Sequence, residues 1–193
     1  MAIIELGDLR GHLDIDLTDE NPLLQEAIEA AQAYIESQTN RTFEAATDTR
    51  YYDRSALDPH NSRLLNLYND DLLTVTTLTN GDSSSTAIAA TNYWLVPRND
   101  GPPYHGILLK TDISDYWEFD TDYWVTVAGT WGYSTSPPYD IRRACITLAS
   151  YLYRAKDSAL WETTAIVESG AIAIPQGIPA TVDRIIQRYK RHL

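Results

Sequence analysis

The residues best able to do chemistry are scattered along this chain. Four histidines, His12, His60, His105 and His192, stand far apart, and none is paired at helical spacing or with a cysteine. Zinc-binding imidazoles come as local pairs or beside cysteines, so surface or hydrogen-bonded histidines are the plainer reading. The acidic run Asp14, Asp16, Asp19, Glu20 has the composition of a calcium loop. With Asp14 in the first ligand position, however, Asp19 takes the place of the turn glycine and Gln25 that of the bidentate glutamate. The pattern fails, and these acids are expected beside the positive end of the following helix. Asp70-Asp71 and Asp120/Asp122 could be acid–base pairs, yet each flanks a strand, where solvated turn carboxylates are the default. Cys145 falls in an apolar helical stripe and reads as a small buried hydrophobe. Asn40-Arg41-Thr42 spells a glycosylation sequon at a helix end and, with no signal peptide expected, reads most simply as a chance match. No P-loop, dinucleotide fingerprint or nucleophile elbow occurs.

The elements that must position these groups follow from hydrophobic period. From Asn21 to about Gln38, Leu23, Leu24, Ala27, Ile28, Ala31, Tyr34 and Ile35 recur at helical spacing, with Asn21 placed to cap and Pro22 suited to the first turn. A second helix is expected from about Pro138 to Ala155 on the stripe Ile141, Ala144, Cys145, Leu148, Leu152. A third starts near Pro179 on Val182, Ile185, Ile186, Tyr189, and a short one is expected at Leu6 to His12. Between the first and second helices the period shortens to that of antiparallel strands, expected near Thr49–Asp53, Leu64–Tyr68, Leu72–Thr79, Tyr93–Pro97, Gly106–Lys110 and Tyr123–Trp131. Turns are expected at Asn80-Gly81 and Asn99 to Pro103, and Ser158 to Gly177 reads as a loose hairpin or an arm. One-sided helical stripes at the two ends need each other. The expected fold is α+β: a small helical bundle of 1–42 and 138–193 sharing one core, with Ile28, Tyr34, Ile35, Leu148, Leu152, Ile185 and Ile186 among its members. An antiparallel β region of 43–137 is inserted in it.

The chain's 193 residues are 44% hydrophobic and 22% charged, which excludes wholesale disorder, and a single cysteine excludes a disulfide framework. No apolar run approaches a spanning helix, and the N-terminus lacks a signal pattern, so a soluble protein without secretion is expected. Net charge is −12, the wrong sign for gripping a phosphate backbone. It is uneven: residues 138–193 hold eight Lys/Arg and five Asp/Glu (net +3), leaving seven and twenty-two in 1–137 (net −15). Arg184, Arg188, Lys190 and Arg191 crowd the last helix opposite its apolar stripe, and are expected to face outward as a docking surface for a partner. The plainer alternative is a solvated helix end whose cations suit the dipole.

Aromatic usage is skewed, with 13 Tyr and 5 Trp against 2 Phe. Trp94, Trp117, Trp124 and Trp131 all fall in the β stretch, where they either fill its core or face a protein or sugar. That leaves a β-rich aromatic binding module as one functional reading, and an enzyme whose residues converge only in space as another.

The order of features resembles the head-tail connector proteins of tailed bacteriophages, also called adaptor or head-completion proteins. The resemblance is carried by Asp19-Glu20-Asn21-Pro22-Leu23-Leu24-Gln25-Glu26-Ala27-Ile28 leading to Tyr34-Ile35-Glu36, and by the end signal Thr39-Asn40-Arg41-Thr42-Phe43. Val125 to Tyr133 followed by Pro137-Pro138, the helix Ile141 to Arg154, and the closing Ile178-Pro179 to Arg191 carry it further. It implies a non-enzymatic virion protein without cofactor, assembled as a homo-oligomeric ring of twelve copies. Such a ring docks on the portal protein after packaging, meets a neck, stopper or tail-completion protein, and passes DNA through its channel without specific binding. Before assembly the subunit would reside in the host cytoplasm.

Overall fold

The computed structural model describes residues 3–16, 18–68, 70–112, 115–158 and 178–191. Its elements are α1 (Leu6–Leu13), α2 (Asn21–Thr39), β1 (Ala46–Tyr52), β2 (Leu57–Asp58), β3 (Asn61–Asn66), β4 (Leu72–Thr79), β5 (Tyr93–Val96), β6 (Gly106–Leu109), β7 (Val125–Trp131), α3 (Tyr139–Ser158) and α4 (Ala180–Tyr189). This is an α+β protein, as its sequence indicates. The expected arm or hairpin after Ser158, and His192, lie outside the described residues.

The chain divides into two compact units, 1–40 with 138–190, and 41–137 with 191–193. Arg41, Thr42 and Arg191 thus group with the β region.

In the helical unit α2 packs along α3, and α1 and α4 contact both. Leu24, Ala27, Ile28, Ala31 and Ile35 from α2 are buried with Ile141, Ala144, Cys145, Leu148 and Ala149 from α3 and Val182 and Ile186 from α4. Each large aliphatic side chain so buried contributes about 1.5–3 kcal/mol, which holds helices that would be marginal alone. Of the expected core members, Tyr34, Leu152 and Ile185 are only half-buried, because they sit at the margins of their stripes. Asn21 does not cap α2: it is the first helical residue, Glu20 precedes it, and Pro22 occupies the first turn. The other end carries the strong signal, Asn40 adopting the left-handed conformation (φ 51) and donating its N–H to the Glu36 carbonyl. Before α1, Glu5 and Asp8 exchange side-chain-to-backbone hydrogen bonds as a capping box.

The β unit holds two antiparallel sheets, β1-β7-β4 and β2-β3-β6-β5. The central strand β7 alternates buried Val125, Val127, Gly129 and Trp131 with half-buried Thr126, Ala128 and Thr130, the two-residue period of a strand with one face on the core. Gly129 is obligatory, since a Cβ there would overlap the Thr74 carbonyl oxygen where β4 bulges against β7. Leu65, Leu67, Leu72, Leu78, Ile107, Leu109 and Trp117 complete the core. The expected turn at Asn80-Gly81 falls slightly later, at Asp82–Ser85, where Ser85 donates to the Asp82 carbonyl. Asn80 instead has a buried side chain, donating to the Tyr116 carbonyl (2.9 Å) and accepting from the Glu118 N–H (2.9 Å).

Candidate functional site

The basic end of the chain separates into two populations. Arg184, Arg188 and Lys190 are exposed. Arg188 reaches Asp140 at 3.2 Å, and the same carboxylate accepts from the Tyr189 hydroxyl at 2.7 Å, fastening the end of α4 to the start of α3. Beside this link lies a groove of about 540 Å³ between α3 and α4, edged by Tyr139, Arg143, Ile185 and Arg188. Arg191 does not join the others. It follows the end of α4, is buried in the β unit, and is ion-paired to Asp71, so the expectation that it presents its charge outward is corrected.

Asp71 is the centre of that buried cluster. Arg41 spans both carboxylate oxygens, at 2.8 and 2.9 Å. Arg191 binds Oδ1 and also donates to the Tyr68 carbonyl at 3.4 Å, while His105 Nδ1 lies 3.5 Å from Oδ1. Burial lowers the Arg191 pKa and Asp71 opposes the shift, the pattern of a cation kept inside by a paired anion. Burial likewise holds the His105 imidazole below its ordinary range, against the pull of Asp71. The carboxylate is further fixed by its own main chain, since the Asp71 carbonyl accepts from the Gly132 N–H at 2.8 Å. Asp70 takes different partners, Arg50 and the Tyr52 hydroxyl (2.5 Å), and Arg50 lies over the Trp131 ring. Burial, then the bond to Asp70, raises the Tyr52 pKa and keeps that phenol neutral. The expectation of solvated turn carboxylates at Asp70-Asp71 is therefore corrected: both are committed to ion pairs that staple the β unit, with Asp71 itself buried. This arrangement is built for holding, and presents no free acid–base pair.

The four tryptophans among the described residues divide evenly. Trp131 and Trp117 are buried, their indole N–H groups donating to the carbonyls of Asp48 (3.0 Å) and Arg63 (2.9 Å). Trp94 and Trp124 are 40% and 50% exposed. Cys145 is buried and its thiol is pushed up to about 12, chiefly by burial, with the Glu36 charge adding to it. Among the described residues, no group of three or more His, Cys, Asp or Glu is placed to hold a metal ion, and no helix is long and apolar enough to cross a membrane.

Set against known proteins, the chain has no match among curated sequences. Solved structures do share its fold. A chain from the virion of a native gene transfer agent particle aligns with a TM-score of 0.64 at 24% identity, covering 99% of this chain and 92% of that one. A chain from the neck of an empty gene transfer agent particle, computed with C6 symmetry, aligns at 0.61 and 22% identity over 99% and 92%. One from the neck of a native particle, computed with C12 symmetry, aligns at 0.56 and 22% over 97% and 90%. The family model described as "Head completion protein" matches residues 2–192, taking in both units. The chain belongs to the head completion protein family.

Proposed function

We propose that this protein is a structural subunit of a head–tail connector: a ring of twelve copies that docks beneath the portal of a filled head, extends the DNA channel, and receives a neck, stopper or tail-completion protein on its other side. The observation that carries this reading is the head completion match across nearly the whole chain. Neighbours of the same fold in necks computed with C6 and C12 symmetry support a ring, and the C12 neck agrees with twelve copies. The charge distribution supports the channel. With twenty-two of its 27 acidic residues in 1–137, the subunit repels a duplex at short range, within a Debye length of about 8–10 Å, and lets it pass without binding. The reading assigns no catalytic step and no cofactor. The −12 charge also opposes self-association, so the subunit is a monomer in the host cytoplasm until a portal gathers it into the virion. Arg184, Arg188 and Lys190 form the portal-facing charge, without Arg191.

Removal of the gene from a particle-producing host tests this. The expected result is filled heads without attached tails, together with a twelvefold ring of this chain in averaged images of wild-type necks. Complete tailed particles made without the protein would overturn the reading.

A further inference from the structure

Two surfaces outside the ion-pair clusters carry side chains of opposite charge. In the β2-β3-β6-β5 sheet the register aligns Leu64, Leu108 and Trp94 in one row. Their sequence neighbours Leu65, Leu109 and Tyr93 are buried in the core, so this row stands on the opposite face, with Leu64 and Leu108 half-buried and Trp94 exposed. Arg98 and Lys110 lie over the Trp94 indole, 3.8 and 4.0 Å from its centroid. Among the described residues neither cation has a carboxylate within ion-pair distance. Two cations without an acid of their own, in a chain of net −12, form with the indole a positively charged knob.

The counterpart lies on α1. Gly7 and Gly11 are one turn apart, and a Cβ at either would meet nothing within 4 Å. They line a groove of about 230 Å³ with Arg10, Asp14, Ile15 and Asp16. Arg10, the cation in the groove, spends its guanidinium on main-chain carbonyls, those of Ile15 (3.2 Å) and Asp16 (2.5 Å). That pins the loop while leaving the Asp14 and Asp16 side chains exposed and without an ion pair among the described residues.

We propose that the Trp94 knob of one copy seats in the glycine groove of the next, with Arg98 and Lys110 paired to Asp14 and Asp16. The inference rests on the ring reading above. A closed ring is built from head-to-tail contacts, in which two different patches of the same chain meet, and these two patches carry opposite charge. Trp and Arg are the side chains that most often anchor such interfaces. DNA is the poorer occupant of the knob: two cations make a small phosphate footprint in an acidic chain, and the indole is already engaged by them.

Charge exchange in assembled particles tests the contact. Variants Arg98→Glu/Lys110→Glu and Asp14→Lys/Asp16→Lys, checked for folding by circular dichroism, should each lower the number of copies per purified particle by about tenfold. Their combination should restore it. Gly7→Leu/Gly11→Leu fills the groove with better helix formers, so it should melt no lower than wild type and still lose incorporation. Wild-type incorporation of the knob reversal or of the leucine variant would overturn the proposal. So would a combined variant as poor as the knob reversal alone, the outcome expected if another neck protein or DNA covers the knob. Failure of the ring reading is distinguishable, because it is read from wild-type necks that contain the protein without rotational symmetry.

Discussion

Replacing Asp71 with Ala removes the carboxylate on which Arg41 and Arg191 meet. The side chains are only 3% (Asp71), 8% (Arg191) and 15% (Arg41) exposed, so water screens the cluster weakly. Breaking a buried pair by deleting one partner costs about 3–5 kcal/mol, against about 0–1 for an exposed pair. Arg41 is the more exposed arginine and can regain some hydration, whereas Arg191 is left charged in a dry site. The expected loss is therefore near the lower end, about 3–4 kcal/mol, a fall in melting temperature of roughly 6–16 °C for a chain of this size. Urea unfolding followed by tryptophan fluorescence is the suitable assay, because Trp94, Trp117, Trp124 and Trp131 all belong to the unit that holds Asp71. The midpoint should drop at constant slope. A double-mutant cycle with Arg191→Ala should show the two losses to be strongly non-additive. A loss under about 1 kcal/mol, or additive losses, would refute the claim that this cluster holds the β unit together.

Leu148→Ala, which truncates a buried side chain of α3, should cost about 2–5 kcal/mol by far-ultraviolet circular dichroism, and an unchanged midpoint would contradict the helical core. Cys145, buried and with its thiol pushed up to about 12, should react with aromatic disulfide reagents only as fast as the native state opens; immediate labelling at pH 8 would contradict its placement. His105 has a folded-state pKa below its unfolded value. The unfolded chain therefore takes up the proton first, and the stability His105 leaves intact at neutral pH is lost as pH falls below about 6.5. His105→Gln should flatten that part of the stability–pH curve between about pH 7 and 5, and an identical decline in both proteins would refute the assignment. Reversing Arg184, Arg188 and Lys190 to Glu should leave the monomer folded but weaken portal attachment, with the wild-type interaction fading as salt rises; attachment at wild-type strength would clear α4 of a docking role.

What could be read in the sequence was whatever local period determines. The α2 stripe runs through a 19-residue helix, and the Thr- and Leu-rich run of β4, bounded by turn residues, matches an 8-residue strand although bulges break its alternation; each places its own ends to within a residue or so. Tryptophan burial was legible only in part, because the four rings in the β region share a composition but not a face. Asp70-Asp71 carries the local signature of a turn, and nothing near it in sequence says otherwise: the arginines that bury Asp71 lie 30 and 120 positions away. Arg191 misled for the complementary reason. It follows two exposed cations in α4 and a third, Lys190, at its cap, yet the helix ends at Tyr189, and beyond that point the helical period no longer says which way a side chain points. A signal was present. Arg41 and Arg191 each stand just past the end of a helix, where an isolated cation has no i±4 neighbour to serve.

The dependence of Asp71 on Arg191 also sets a timetable for synthesis. A ribosome releases Asp71 and Arg41 early, but the second guanidinium emerges about 120 residues later, and until then the nascent β unit carries an anion only partly compensated. The helical unit waits as well, because α2 has its stripe ready long before α3 and α4 exist to cover it. On a chain stopped before α4 the β unit lacks one of the two arginines of Asp71, and the helical unit lacks Val182 and Ile186 from its core. A product truncated before α4 therefore lacks part of the helical core and the second cation of Asp71, and would be the poorer subunit for the assembly proposed above.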